Sequence, residues 1–157
     1  MSSKRRYAIV GTGGRCVMFI DGILGDYKDH AELVAFCDIS QTRMNWHNDR
    51  IKKEFNADPI PTYHADQFDQ MIQEAKVDVV IVTTMDSTHH TYIIRAMELG
   101  CDAISEKPMT TDAQKANAIQ DAIDRTGRSL RVTFNYRFAP HVTKVKELIM
   151  QGVIGTP

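Results

Sequence analysis

The sequence predicts an α/β fold: a doubly wound parallel sheet of six strands with helices on both faces. Short apolar runs alternate with stretches whose apolar residues recur every three or four positions, which is the pattern of strand–helix–strand units. The run over residues 77–83 is almost continuously β-branched, as expected for a central strand covered on both faces. The carboxyl ends of parallel strands share one edge of the sheet, and ligands of such folds bind there.

The apolar runs and the capping residues place the individual elements. We predict strands over residues 7–10, 32–38, 60–63, 77–83, 102–105 and 130–134. Short polar side chains that accept from free N–H groups predict the helix starts: Ser40, Asp66, Asp86 or Ser87, and Thr111 in a capping box with Gln114. The last helix opens at Pro140 and is expected to bury Val142, Val145, Leu148 and Ile149.

The composition is that of a globular domain without a strong charge bias. The 157 residues suffice for one domain with a sizeable core, 43% are hydrophobic, and the formal net charge is −1. The one basic cluster, Lys4-Arg5-Arg6, is too small for a nucleic-acid-binding stripe, and no apolar run approaches the roughly 20 residues of a membrane span. Three scattered cysteines argue against a zinc site or a disulfide framework. We therefore expect a cytoplasmic protein that binds neither nucleic acid nor membrane.

A glycine-rich turn joins the first strand to the first helix. Gly11 would permit the tight turn, and Gly13 would let the backbone approach a ligand without a Cβ atom in between. Thr12 and Gly14 complete the loop, and the helix N-terminus beyond it offers N–H groups to phosphates. Strand, glycine turn and helix in this order predict a dinucleotide-binding Rossmann fold. Cys16 stands where such turns usually carry glycine or alanine, which weakens the match without breaking it.

Asp38 ends the second strand and bears on the choice of cofactor. An acid about 20 residues beyond the glycine turn binds the ribose hydroxyls of NAD and repels the extra phosphate of NADP, so we expect NAD. Alternatively, Asp38 only caps the next helix. Arg43 could stack on the adenine or bind a 2′-phosphate, which keeps NADP as the second choice, or it could be a solvated helix residue.

Polar residues follow the fourth strand. Thr83 and Thr84 could line the path of the cofactor diphosphate or ribose, or simply begin the next helix. His89 and His90 suggest a metal, but neighbours on a helix point about 100° apart and cannot easily share one ion. We predict no metal site, and a polar contact at the helix start for one of these histidines.

The ends of the last two strands carry the candidate chemistry. Lys107 follows the fifth strand, where a movable cation could polarise a carbonyl or stabilise an alkoxide, unless it only pairs with Glu106. Pro108 could fix its direction through a cis bond, which the sequence leaves open. Asn135 and Arg137 could bind a nicotinamide amide or an oxygen-rich substrate, or cap the last helix.

Together these residues resemble the N-terminal NAD(P)-binding domain of the glucose–fructose oxidoreductase / inositol dehydrogenase (Gfo/Idh/MocA) family. The resemblance covers nearly the whole chain and rests on four stretches: residues 11–15, His89 ahead of Gly100, the Glu-Lys-Pro motif at 106–110, and residues 135–138 leading to 152–157. It implies an NAD(P)-dependent oxidoreductase of sugars, cyclitols or similar polyols. Lys107 would lie beside nicotinamide and substrate, and the expected cofactor contacts are Gly11, Thr12, Gly13, Gly14, Arg15, Asp38, Arg43, Thr83, Thr84, His89, Glu106, Lys107, Asn135 and Arg137.

The resemblance also implies a second domain. Members of the family continue into an α/β domain that supplies most substrate contacts and the acid–base residues and often mediates oligomerisation. We expect residues 1–157 to form the dinucleotide-binding domain alone, inactive without the second domain, with a possible homo-oligomer formed through that domain. Cys16 departs from the family pattern, as does Met85, where proline is frequent. A nucleotide-sensing module and an NAD-dependent glycosidase of the same family remain the alternatives.

Overall fold

The computed structural model of the chain describes residues 4–155 and confirms the predicted fold. Within that range six parallel strands form one sheet: β1 Arg5–Val10, β2 Ala31–Asp38, β3 Thr62–His64, β4 Val79–Val82, β5 Asp102–Ser105 and β6 Leu130–Val132. Their order in the sheet is β3-β2-β1-β4-β5-β6. The chain runs outward from β1 to β3, crosses back, and runs outward again from β4 to β6. This reversal leaves a crevice at the carboxyl ends of β1 and β4.

Six α-helices flank the sheet within the described residues: α1 Val17–Leu24, α2 Gln41–Phe55, α3 Phe68–Glu74, α4 His89–Glu98, α5 Ala113–Thr126 and α6 Pro140–Met150. Single 3₁₀ turns precede α1, α3 and α4, at Gly14–Cys16, Ala65–Gln67 and Asp86–Thr88, and another, Asn135–Phe138, follows β6. No helix in this part of the chain has the length and apolar character that crossing a membrane requires.

The apolar core lies in two layers, one on each face of the sheet. Neighbouring residues of β1 and β4 point to opposite faces, so Val10 and Val82 join one layer and Ile9 and Ile81 join the other. The first layer is covered by apolar side chains of α3, α4 and α5, and the second by those of α1 and α2. Both faces are therefore buried, which is why the central strands read as continuous apolar runs.

Neither Asp86 nor Ser87 is an N-cap: Met85 precedes the 3₁₀ turn and Thr88 precedes α4, both without a capping side-chain hydrogen bond. Two further predicted caps are wrong, and both errors are local. Ser40 caps α2 as predicted, because its side chain accepts from the Arg43 N–H group. The turn before α3 begins instead at His64, whose side chain forms a capping box with Gln67, while Asp66 lies in the first turn and contacts the His64 ring. A neighbouring side chain with a better angle displaced the predicted cap.

The second of these two caps is at α5. Asp112, rather than Thr111, accepts from the Lys115 N–H group at 2.9 Å, and no capping box with Gln114 forms. An aspartate and a threonine side by side are both good caps, and only the entry angle of the chain decides between them.

Most strand bounds differ from the prediction by one to three residues: β4 is Val79–Val82 rather than 77–83, and β6 is Leu130–Val132 rather than 130–134. β3 starts at Thr62 rather than at residue 60, because the backbone of Ile60 pairs with the side chain of Asn48. The predicted inner face of α6 is wrong: Val145 is 54% exposed, and Leu148 and Ile149 are exposed as well. No other element among the described residues covers that face. The last two residues of the sequence motif, Thr156 and Pro157, lie outside the described residues.

The cap of α5 gives a stability test. We expect Asp112→Ala to lower the free energy of unfolding by about 1 kcal/mol, because the first turn of the helix loses its acceptor. Thr111→Ala is the matched control and should change it by less than about 0.5 kcal/mol, since Thr111 accepts only from the exposed Lys115 ammonium. Urea unfolding of both variants measures the difference, and equal losses would contradict the assignment.

Candidate functional site

Two adjoining cavities occupy the crevice at the carboxyl edge of the sheet. The first, of about 410 Å³, is lined by the glycine turn, the end of β2 and the segment after β4. The second, of about 460 Å³, is lined by the segments after β4, β5 and β6. Thr83 and Thr84 line both cavities, so the two form one continuous recess along the strand ends. A recess of this shape and size suits an elongated ligand that crosses the switch point of the sheet.

Gly11 is packed against the backbone after β4. Its φ angle is +87°, and a Cβ atom added to it would lie 2.6 Å from the Thr84 nitrogen, so only glycine fits. The Gly11 N–H group donates to the Cys37 carbonyl at 2.8 Å, and the Thr83 hydroxyl donates to the Gly11 carbonyl at 2.6 Å. These contacts tie the glycine turn to both neighbouring strands and leave Thr83 buried, although it still lines both cavities.

Gly13 and Gly14 face open space instead. A Cβ atom added to either residue would meet nothing within 4 Å. Gly13 also lines the first cavity, so a ligand in that part of the recess could touch the backbone directly. This part of the recess is also where the glycine fingerprint places a pyrophosphate.

Asp38 is buried and turned toward the glycine turn. One carboxylate oxygen accepts from both the N–H group and the hydroxyl of Thr12, at 2.5 and 2.9 Å, and the other accepts from the Ser40 N–H group at 2.8 Å. The residue is 5% exposed, yet it still lines the first cavity. Asp38 thus holds the glycine turn through Thr12 and the start of α2 through Ser40. Only the edge of its side chain faces the cavity. The sequence predicted the position of this acid but not its two protein partners.

Arg43 lies at the outer end of the first cavity. Its Nη1 atom is 3.8 Å from the Asp38 carboxylate, and more than half of the side chain is exposed. This guanidinium is free to swing over a bound adenine, as the sequence suggests, or to remain in solvent.

Glu106 braces the turn from the opposite side. Its carboxylate pairs with Arg15 at 3.0 Å and accepts from the Thr133 hydroxyl at 2.7 Å. Burial opposes ionisation of this carboxyl, but the hydrogen bonds from Arg15 and Thr133 outweigh it, so the pKa of Glu106 is lowered. Glu106 and Arg15, both expected at the cofactor, are thus joined to each other, and Arg15 keeps one side toward the second cavity.

His89 joins the two loops of the second cavity. Its Nδ1 atom lies 2.9 Å from the Pro108 carbonyl and its Nε2 atom 3.1 Å from the Thr84 carbonyl. The ring is 1% exposed, so it supports the segments after β4 and β5 from below. The expected polar contact at the helix start is therefore present. No group of three metal-ligating side chains occurs among residues 4–155.

Lys107 is an exposed cation of the second cavity, which Arg15 also lines. It follows β5 directly and precedes Pro108, with which it shares a cis peptide bond, so the question left open by the sequence is answered. Asn135 lines the same cavity, whereas Arg137 is exposed and is not among the residues that line it. The recess therefore brings together Lys107, Asn135, Arg15 and the glycine turn, but not Arg137.

Sequence reasoning missed His47, which lies under the glycine turn. Its Nε2 atom is 3.1 Å from the Thr12 carbonyl and the ring is 2% exposed. The signal was available, since Met44, His47 and Ile51 follow helical spacing and all three are buried on α2. A polar residue on an otherwise apolar helix face marks a buried hydrogen bond.

Comparisons with known proteins agree with this geometry. The Gfo/Idh/MocA family model, described as an oxidoreductase family with an NAD-binding Rossmann fold, matches residues 5–134. YteT of Bacillus subtilis (strain 168), to which an oxidoreductase activity is ascribed, is 35% identical over 139 residues, covering 88% of this chain and 32% of that protein. D-glucoside 3-dehydrogenase of Escherichia coli (strain K12) is 29% identical over 157 residues, covering 98% of this chain and 41% of that protein.

A solved structure shows the same fold with its ligands. The scyllo-inositol dehydrogenase from Lactobacillus casei with bound NAD(H) and scyllo-inositol superimposes with a TM-score of 0.80 at 27% identity, over 98% of this chain and 43% of that one. The present chain thus spans about a third to two fifths of the length of these relatives. Because the family model covers most of the chain, the chain belongs to the Gfo/Idh/MocA oxidoreductase family, and residues 5–134 form its NAD-binding Rossmann domain.

Proposed function

We propose that the chain is the cofactor-binding part of a dehydrogenase that transfers a hydride between NAD and a sugar, a cyclitol or a related polyol. The observation that carries the proposal is the position of Lys107: an exposed ammonium at the end of β5, in a recess that continues to the glycine turn. A module that only sensed nucleotides would have no chemical use for a cation there. Relatives named as dehydrogenases of a glucoside and of inositols support this substrate class.

The residues present fit an NAD molecule. Open space beside Gly13 and Gly14 would take the pyrophosphate against backbone N–H groups. The edge of Asp38 would meet the ribose, with Arg43 over the adenine, and the charge of Asp38 favours NAD over NADP. Thr84, Lys107 and Asn135 would surround the nicotinamide end.

Lys107 would act on the substrate oxygen. When bound, NAD supplies the hydride acceptor or donor at its nicotinamide ring. A lysine ammonium beside the reacting carbon can donate a hydrogen bond to the alkoxide or carbonyl oxygen and stabilise negative charge there. The ion pair between the buried Glu106 and the exposed Arg15 fixes the end of β5, so the backbone that carries Lys107 is held in place.

A further domain, outside this chain, would supply the acid–base residue and most substrate contacts. The greater length of the relatives supports this, as does the uncovered apolar face of α6 with Val145, Leu148 and Ile149. A homo-oligomer, if one forms, would use the same domain. All three cysteines are buried and free, which is consistent with a reducing compartment such as the cytoplasm.

Gly13→Ala tests the pyrophosphate site. The φ angle of Gly13, −77°, suits alanine, and the new methyl group meets no protein atom within 4 Å, so the thermal stability should not fall. The methyl group would occupy the space of the pyrophosphate, and we expect the dissociation constant for NADH to rise at least about tenfold, a loss of roughly 1.4 kcal/mol.

Calorimetric titration with NADH and NADPH measures this effect, and NADH should bind the unaltered chain more tightly. Gly22→Ala is the matched control: it adds a methyl group inside α1 at 3.7 Å from the Tyr27 ring and should leave NADH binding unchanged. Equal affinity of Gly13→Ala and the unaltered chain would place the cofactor elsewhere.

Lys107→Ala tests the chemical role. In a protein that joins this chain to the following domain, we expect NADH formation from sugars and inositols to slow by about 10²–10³ in kcat, since the charge on the substrate oxygen loses its partner. NADH binding should persist. Absorbance at 340 nm measures turnover. Lys52→Ala, at an exposed position of α2, is the control, and an unchanged kcat in Lys107→Ala would refute the assigned role.

A further inference from the structure

Two buried side chains lie directly under the glycine turn, and the dinucleotide fingerprint calls for neither. Cys16 is fully buried and His47 is 2% exposed. The Cys16 sulfur lies 3.0 Å from the Gly13 carbonyl oxygen and 3.3 Å from Nε2 of His47. That same Nε2 atom lies 3.1 Å from the Thr12 carbonyl oxygen. The two side chains therefore hold the carbonyl groups of two successive peptides.

The proton positions follow from what each atom can accept. A carbonyl oxygen only accepts, so the His47 proton is on Nε2 and is donated to Thr12. Burial lowers the pKa of His47, and its Nδ1 atom is buried with no partner within the described residues, so the ring is neutral. Burial also raises the pKa of the Cys16 thiol to about 12, so the S–H group is intact and is donated to Gly13.

Because the peptide bond is planar, these contacts to the carbonyl groups also fix the direction of the N–H groups in the same peptides. In a trans peptide the C=O and N–H groups point in opposite directions. Since His47 holds the Thr12 carbonyl toward the protein interior, the N–H group of Gly13 points toward the crevice. Since Cys16 holds the Gly13 carbonyl through both its thiol and its own N–H group, at 3.0 and 3.3 Å, the N–H group of Gly14 points away from Cys16.

Gly13 lines the first cavity, and a Cβ atom added to Gly13 or to the neighbouring Gly14 would meet nothing within 4 Å. Two adjacent N–H groups aimed into one space form a concave anion-binding arrangement. We propose that Cys16 and His47 are positioning residues for the pyrophosphate of the dinucleotide: they aim the N–H groups of Gly13 and Gly14 at it before it binds. The inference rests on the binding of NAD in the proposed function.

A simple packing role is the competing explanation. Cys16 would then only be a small residue between helix and strand, and His47 would only fill space between Phe36 and Trp46, whose rings lie 5.9 and 4.9 Å away. Donation and packing can be separated, because each residue has one substitution that removes the donor and another that supplies a donor again.

The experiment is a calorimetric titration of the chain and its variants with NADH. His47→Phe keeps a ring of similar size but removes the donor, and it should weaken binding about two- to tenfold. His47→Gln places an amide N–H group at a similar reach and should bind within about twofold of the unaltered chain. Cys16→Ala should weaken binding about two- to threefold, and Cys16→Ser, which restores a donor, should recover it.

Cys101→Ala is the matched control. Cys101 is also buried and also donates to a backbone carbonyl, that of Val77 at 3.1 Å, but it lies before β5 at the opposite edge of the sheet. Its loss should leave NADH binding unchanged. Thermal unfolding of every variant identifies any that do not fold. If His47→Phe does not fold, the comparison of Cys16→Ala with Cys16→Ser decides the test.

A second readout separates orientation from general loosening. ADP-ribose contains the pyrophosphate and adenosine does not, so the affinity for ADP-ribose should fall in His47→Phe and Cys16→Ala while that for adenosine stays constant. Equal NADH affinities across the series, or equal losses in the donor-restoring variants, would overturn the inference while leaving the proposed function intact. Absence of NADH binding in the unaltered chain would overturn the cofactor site itself.

Discussion

The crevice depends on the hydrogen bonds that the buried Asp38 carboxylate accepts from Thr12. They join the end of β2 to the turn after β1 and are matched on the other side by Glu106, which holds Arg15 from the end of β5. A glycine-rich segment has more conformational freedom than any other, and fixing it is correspondingly expensive in entropy. Two carboxylates that are out of water and fully hydrogen-bonded supply strong, directional contacts for this purpose.

This arrangement changes the meaning of the strand-end polar residues. Asp38, Glu106, Thr83 and His89 all stand where ligand contacts are expected, yet each makes its main contacts with protein atoms. The side chains with freedom to meet a ligand are the exposed ones, Arg43, Lys107 and Asn135, together with the bare backbone of the turn. The site thus has an inner layer of buried polar side chains that fix the shape of the recess. Its outer layer consists of exposed side chains that can contact a ligand.

The architecture could be predicted from the sequence because the spacing of hydrophobic residues and the glycines at turns are local signals. β5 was predicted to the residue, and the doubly wound order followed from alternation alone. The sequence was insufficient where two neighbours compete, as Asp112 and Thr111 do for one cap, because the entry angle is set by tertiary packing. Prediction from the sequence also failed for α6. Its apolar pattern shows that one face of the helix is apolar, but not whether another element of the described residues covers that face.

For the site, the sequence placed Asp38, Glu106 and Lys107 at the correct edge but not their directions. A strand end fixes where a Cα atom lies, whereas the side chain chooses among rotamers according to partners distant in sequence, such as Thr133 for Glu106. His47 shows the same limit, because its helical spacing marks it as buried without naming the Thr12 carbonyl as its partner.

The contact of Gly11 with the backbone of Thr84 has a consequence for motion. With no room for even one methyl group between them, the turn after β1 and the segment after β4 move as one body. Arg43 and Met85, which line the first cavity at its exposed side, can rearrange without any movement of this floor. Side-chain rearrangements at the surface take picoseconds to nanoseconds, so the outer wall of the cavity changes shape far faster than its floor.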